Sequence, residues 1–152
     1  MNYSPFGVLT YDLEQGVWIK IQAPMRHFLR SPNLVECRGR LVMVASIQKR
    51  KLNVPKSIRI WGLQDSRNGW VQLERMPQSL YDEFMKVCTE EETFSCIGHG
   101  NIILVSSNKS SEMLMYDMYH KVWSWVPGCP FFHATQGLQG FAFEPRLETY
   151  VC

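Results

Sequence analysis

The stretch Met113-Leu114-Met115-Tyr116-Asp117-Met118-Tyr119-His120-Lys121-Val122-Trp123-Ser124-Trp125-Val126-Pro127 decides the fold. Two short β-forming runs flank a polar turn, and a proline follows the second, where it would end a hydrogen-bonded ladder. The same arrangement occurs twice upstream. Val8–Asp12 precedes Trp18–Ile21 and Pro24, and Ser57–Trp61 precedes Trp70–Leu73 and Pro77. Trp18, Trp70 and Trp123 are spaced by 52 and 53 residues. Tyr11 to Trp18 and Tyr116 to Trp123 are each seven residues, whereas Trp61 to Trp70 is nine. On that alignment Trp61 matches Tyr116, and the middle turn, Gln64 to Gly69, carries two extra residues.

Further upstream, each complete unit holds two more strands joined at a glycine. Asn33–Cys37 leads to Gly39 and then Arg40–Ile47; Thr93–Ile97 leads to Gly100 and then Asn101–Ser106. Glycine there suits a tight turn with positive φ. One unit is thus four antiparallel strands in about 50 residues, the period and strand count of a propeller blade of the kelch kind. A β-sandwich with coincidental Trp spacing is the alternative. The predicted fold is all-β: a partial kelch-type β-propeller of about two and a half to three blades, with one short helix between blades. A half blade covers 6–22, full blades 33–76 and 93–127, and a closing strand segment 138–144. Tyr11, Trp18, Gly39, Trp61, Trp70, Gly100, Tyr116 and Trp123 are the residues expected to build the blades. The three repeat Trp are expected to pack between blades, where each ring buries up to about 250 Å².

The unit Leu114 to Pro130 resembles the kelch repeat, and Trp18 to Glu36, Lys51 to Ser57, Gly98-His99-Gly100 and Gly140 to Leu147 resemble plant F-box/kelch-repeat proteins. The resemblance covers nearly the whole chain. It implies a propeller that recruits a protein for ubiquitination, attached in longer family members to an N-terminal F-box that docks on the Skp1 subunit of a cullin-RING ubiquitin ligase. Nothing before Trp18 resembles an F-box, so a Skp1–cullin partner is expected only where an F-box lies upstream. A chain opening inside a blade is expected to leave Val8, Leu9, Ile19 and Ile21 uncovered on one strand pair. A stand-alone binding fragment with no ligase role is the second reading. A remnant of a kelch-type copper oxidase is the third, against which the four His stand on unrelated turns.

One segment breaks the β pattern. In Pro77–Glu92, Leu80, Phe84 and Val87 with Cys88 fall at helical spacing, and Ser79 followed by Asp82 reads as a capping box. A helix of two to three turns is predicted there. Its acidic end, Glu90 to Glu92, opposes the helix dipole.

Composition and charge exclude several functions. Of 152 residues, 45% are hydrophobic and 20% charged, enough apolar surface for one folded domain. No apolar run reaches the roughly 18 residues of a membrane span, and the N-terminus lacks the features of a secretory signal. Five cysteines without C-x-x-C, an odd number, fit neither a disulfide framework nor a zinc site. An intracellular protein of the nucleus or cytoplasm follows, without membrane partner, metal or cofactor. No nucleophile elbow, phosphate-binding loop or zinc-protease motif occurs, so no enzyme is expected. Arg26 to Arg59 holds nine basic residues against one acid. Within it, Lys49-Arg50-Lys51 reads as a phosphate-contacting patch, a nuclear import signal or a solvated loop. The stretch Gln48 to Ser57 lacks the aromatics that single-strand binding uses, so no nucleic-acid partner is expected. The partner should be a protein, met by the blade-to-blade connections. The candidate contacts are Arg26, His27, Phe28, Gln78, Phe131 and His133.

Overall fold

The computed structural model describes residues 7–25, 28–48, 56–64, 69–88, 93–107, 110–131 and 141–142. The elements run β1 (Gly7–Asp12), β2 (Val17–Gln22), β3 (Leu29–Cys37), β4 (Arg40–Ile47), β5 (Ser57–Leu63), β6 (Trp70–Arg75), α1 (Gln78–Val87), β7 (Phe94–His99), β8 (Ile102–Ser107), β9 (Met113–Asp117) and β10 (Val122–Val126). All pairing is antiparallel, in three sheets: β1-β2, β3-β4-β5-β6 and β7-β8-β9-β10. This is a partial kelch-like β-propeller, a two-stranded half blade followed by two complete blades. Of the expected closing segment 138–144, only 141–142 lie within the described residues.

Strand register corrects the alignment of the middle unit. Tyr11 pairs with Trp18 and Tyr116 with Trp123, but the partner of Trp70 is Leu63, and Trp61 pairs with Gln72. Leu63 to Trp70 is seven residues, as in the other two units. The middle turn therefore carries no extra residues, since Gln64 N–H still bonds Gly69 C=O at 2.9 Å, a pairing that leaves a four-residue turn. Trp70 is equivalent to Trp123, whereas Trp61 is equivalent to Leu114 and to Leu9. An aromatic two residues out of place looked like a longer turn because the residue in the proper place is an aliphatic one.

Side-chain alternation divides the core in two. Along β4, Val42 and Val44 point into one buried cluster with Ile58, Ile60, Ile103, Val105 and Leu114, between the two complete blades. Met43, Ala45 and Ile47 point the other way, into a cluster with Val8, Ile21, Leu29 and Trp61, between the half blade and the first complete blade. A period of two is what lets one strand serve both interfaces. Val8 and Ile21 are thus buried and not uncovered as expected, while Leu9 and Ile19 on the same strand pair are exposed. Trp70 and Trp123 are half-buried against these clusters, but Trp18 is 70% exposed, because no described sheet lies on its side of the half blade.

The two complete blades meet most closely at β3 and β7. Ser31, at φ +46° in a β3 irregularity, donates its Oγ to Phe94 C=O (3.1 Å) and accepts from Phe94 N–H (3.2 Å). Asn33 donates from Nδ2 to the same carbonyl (3.1 Å) and accepts from Cys96 N–H at Oδ1 (3.2 Å). Two side chains stand in for a strand ladder that the blade geometry forbids. Gly98 completes the seam: a Cβ there would lie 2.6 Å from Glu36 O and 2.8 Å from Val35 Cβ.

Helix α1 starts at Gln78 with Pro77 as its N-cap and no side-chain cap, so Ser79 forms no capping box. Pro77 has no N–H to satisfy, and its carbonyl accepts the first helical bond, from Tyr81 N–H at 2.9 Å. The helix buries Tyr81 and Phe84 and leaves Gln78, Ser79 and Asp82 in solvent. Glu90 to Glu92 lie outside the described residues.

Candidate functional site

The hairpin turns β3–β4, β5–β6, β7–β8 and β9–β10 emerge at one end of the blades. The connections β2–β3 and β6–α1, with the β4–β5 and β8–β9 loops, emerge at the other. The first end is built for shape. Arg38 and Gly39 both take positive φ, as does Gly100 in the matching turn, the pattern of tight two-residue hairpins. Asp12 and Asp117 each accept two backbone N–H bonds at Oδ1, from Glu14 and Gln15 and from Tyr119 and His120. His120 Nδ1 lies 2.7 Å from Asp117 Oδ2, and these bonds hold the Asp117 carboxyl below the usual range.

Of the expected protein contacts, Phe28 lies in the β2–β3 connection at this end and Gln78 is the first residue of α1. Arg26, His27 and His133 lie outside the described residues. Phe28 is half-buried against the cluster of Leu29 and Met43, and its N–H bonds Met25 C=O at 2.8 Å. Gln78 is exposed, donating Nε2 to Asp82 Oδ1 at 3.0 Å along the helix. Phe131 is 86% exposed. Among the described residues no group of three or more His, Cys, Asp and Glu is placed to hold a metal ion. No described helix is long and apolar enough to cross a membrane.

Sequence reading missed a pair of arginines at this end. Arg59 of β5 and Arg75 of β6 are direct cross-strand partners. Arg59 donates Nε to Ser57 Oγ (3.3 Å) and Nη1 to Gln72 Oε1 (3.2 Å), and Nη1 also lies 3.6 Å from Met25 Sδ in the β2–β3 connection. The only hint was a period-two count along two strands that looked merely amphipathic. Tyr116 and Trp125 tie the second complete blade back to the first blade and the helix. Tyr116 donates Oη to Glu74 Oε2 (3.0 Å) and Trp125 donates Nε1 to Glu83 Oε2 (3.3 Å). Burial, then the Glu74 carboxylate, push the Tyr116 phenol upward.

Known proteins match the sequence along almost its full length. Protein UNUSUAL FLORAL ORGANS of Arabidopsis thaliana is 47% identical across 99% of this chain and 36% of its own length. An F-box/kelch-repeat protein of the same plant is 34% identical across 88% of this chain and 32% of its own. The chain's homologues are plant F-box/kelch-repeat proteins. A further relative, Protein ABERRANT PANICLE ORGANIZATION 1 of Oryza sativa, is 35% identical across 98% of this chain and 40% of its own length. The chain therefore spans about two-fifths or less of the F-box/kelch relatives it matches. No protein-family model matches it.

Proposed function

We propose that these blades are part of the substrate-recruiting propeller of an SCF-type ubiquitin ligase, a protein-binding module and not an enzyme, acting inside the cell in the nucleus or cytoplasm. One observation carries the reading: an F-box/kelch-repeat protein is 34% identical to this chain over 88% of it, and the chain folds as antiparallel four-stranded units. The chemistry fits. A rigid stack of antiparallel sheets holds the strands still and frees the connections to vary, which is how binding surfaces are built on β scaffolds. Recruitment would use the connection end, with Gln78, Phe131 and the segments around Arg26, His27, Phe28 and His133 as contacts. Docking to Skp1 and cullin belongs to an F-box and not to these strands.

The test is affinity capture from plant tissue with the full-length protein. Skp1 and cullin should co-purify with it, along with a protein whose ubiquitination depends on the propeller. The isolated chain should capture that protein without Skp1. Direct, stoichiometric binding of purified Skp1 to the isolated chain, or no captured protein that needs these blades, would overturn the reading. The stand-alone binding reading is separated by the same experiment, since it predicts capture without ubiquitination.

A further inference from the structure

Arg59 and Arg75 face each other directly across β5 and β6. Like charges in that position repel and destabilise a sheet unless something lies between or against them. No carboxylate of the described residues does so here. Among the described residues neither guanidinium forms an ion pair, and the Arg75 side chain forms no hydrogen bond. Glu74, the nearest acid in sequence, is committed elsewhere: Oε2 accepts from Tyr116 Oη, and Oε1 accepts from Arg75 N–H. Burial and the charge of Arg75 both lower the Arg59 pKa, so this guanidinium is held in an unfavourable setting.

Arg59 is also positioned in advance. Ser57 Oγ, Gln72 Oε1 and Met25 Sδ fix Nε and Nη1, which leaves Nη2 without a hydrogen bond among the described residues. Arg75 beside it is exposed. A planar guanidinium held on one side offers the fork that a carboxylate accepts in bidentate fashion. The pair lies beside Met25 of the β2–β3 connection and next to the β6–α1 connection that follows Arg75.

We propose that Arg59 and Arg75 together form a docking site for a carboxylate of a partner protein, so that the recruited segment is acidic. The inference rests on the protein-binding function above and names the chemistry of its partner. Two guanidinia on one strand pair suit a single anionic side chain. Nucleic acid would need a longer stripe of phosphate contacts.

Fluorescence anisotropy of the purified 152-residue chain with a labelled hexaglutamate peptide tests this, with hexaglutamine as reference. Hexaglutamate should bind and hexaglutamine should not. Arg59→Gln with Arg75→Gln should weaken binding by about tenfold or more, as loss of a charge-paired contact does. Lys86→Gln, on the exposed side of α1, should leave it unchanged. Arg75→Gln alone, at an exposed position, should weaken binding several-fold, and circular dichroism confirms that it folds. Equal affinity of the wild-type chain and the arginine variants overturns the proposal, as does a DNA duplex that binds through these arginines more tightly than the peptide at equal salt. If the peptide result fails while the full-length protein still captures a ubiquitinated partner, only the acidic docking site is lost. If peptide binding holds but no partner is captured, it is the recruiting function that fails.

Discussion

Lys121 sits at φ +56°, at the turn position that Gly16 occupies at φ +66° in the first hairpin. A side chain there is strained, since an L-residue in the left-handed region loses energy that glycine does not. Lys121→Gly should stabilise the chain by about 0.5–1 kcal/mol in urea melts; a loss of stability would show that the Lys121 side chain contributes more than its backbone costs. Gly98 presents the opposite case. Its missing Cβ is what lets β7 approach Glu36, Val35 and Cys37, so Gly98→Ala should destabilise by about 1–3 kcal/mol, as overpacking does. Cys37 lines the same seam, and burial, then the Glu36 charge, push its thiol up to about 11. At pH 8 it should resist alkylation while exposed Cys129 reacts, as mass spectrometry of labelled protein would reveal. Between pH 9 and about 11 the unfolded chain loses this proton and the folded chain keeps it, so stability should fall as pH rises through that window.

At the scale of elements, α1 works as a plug. Phe84 is fully buried, with ring centroids 6.3 Å from Phe94 and 6.4 Å from Trp125. Phe84→Ala should cost about 3–5 kcal/mol, the usual penalty for an emptied aromatic site, and should loosen the contact of β10 with the helix. Thermal melts check the first effect and hydrogen exchange at Trp125 the second. The helix itself was legible from Leu80, Phe84 and Val87, because apolar spacing survives whatever the helix packs on. Its cap was not. Ser79 and Asp82 have the right spacing, yet the chain enters the helix through Pro77, whose carbonyl begins the ladder two residues earlier. The hairpins were legible as far as their Trp and Asp residues. Their register in the middle unit was not, since only pairing shows that Leu63 and not Trp61 faces Trp70.

Across the whole molecule, one register position is seen in two settings. Trp61 and Leu114 are buried in the two complete blades, while their equivalent Leu9 is 65% exposed, beside Tyr11 and Trp18 on the open side of the half blade. Such a face binds apolar partners non-specifically. The isolated chain should therefore self-associate and bind the dye ANS, and Leu9→Gln with Trp18→Gln should reduce both without lowering the melting temperature. Leu114→Ala should instead cost about 2–5 kcal/mol. A monodisperse monomer that leaves ANS dark would contradict the assignment of this face. Composition, the strand alternation, the glycine turns and the Trp period all act through local backbone preference and burial, so the sequence by itself determined an all-β chain of repeated four-stranded units. The seam of Ser31, Asn33 and Gly98, the true partner of Trp70 and the meeting of Arg59 with Arg75 depend on which residues lie opposite one another across strands or blades. Only the tertiary structure decided those, because pairing and close approach are set by geometry summed over many residues and leave no mark at any single one.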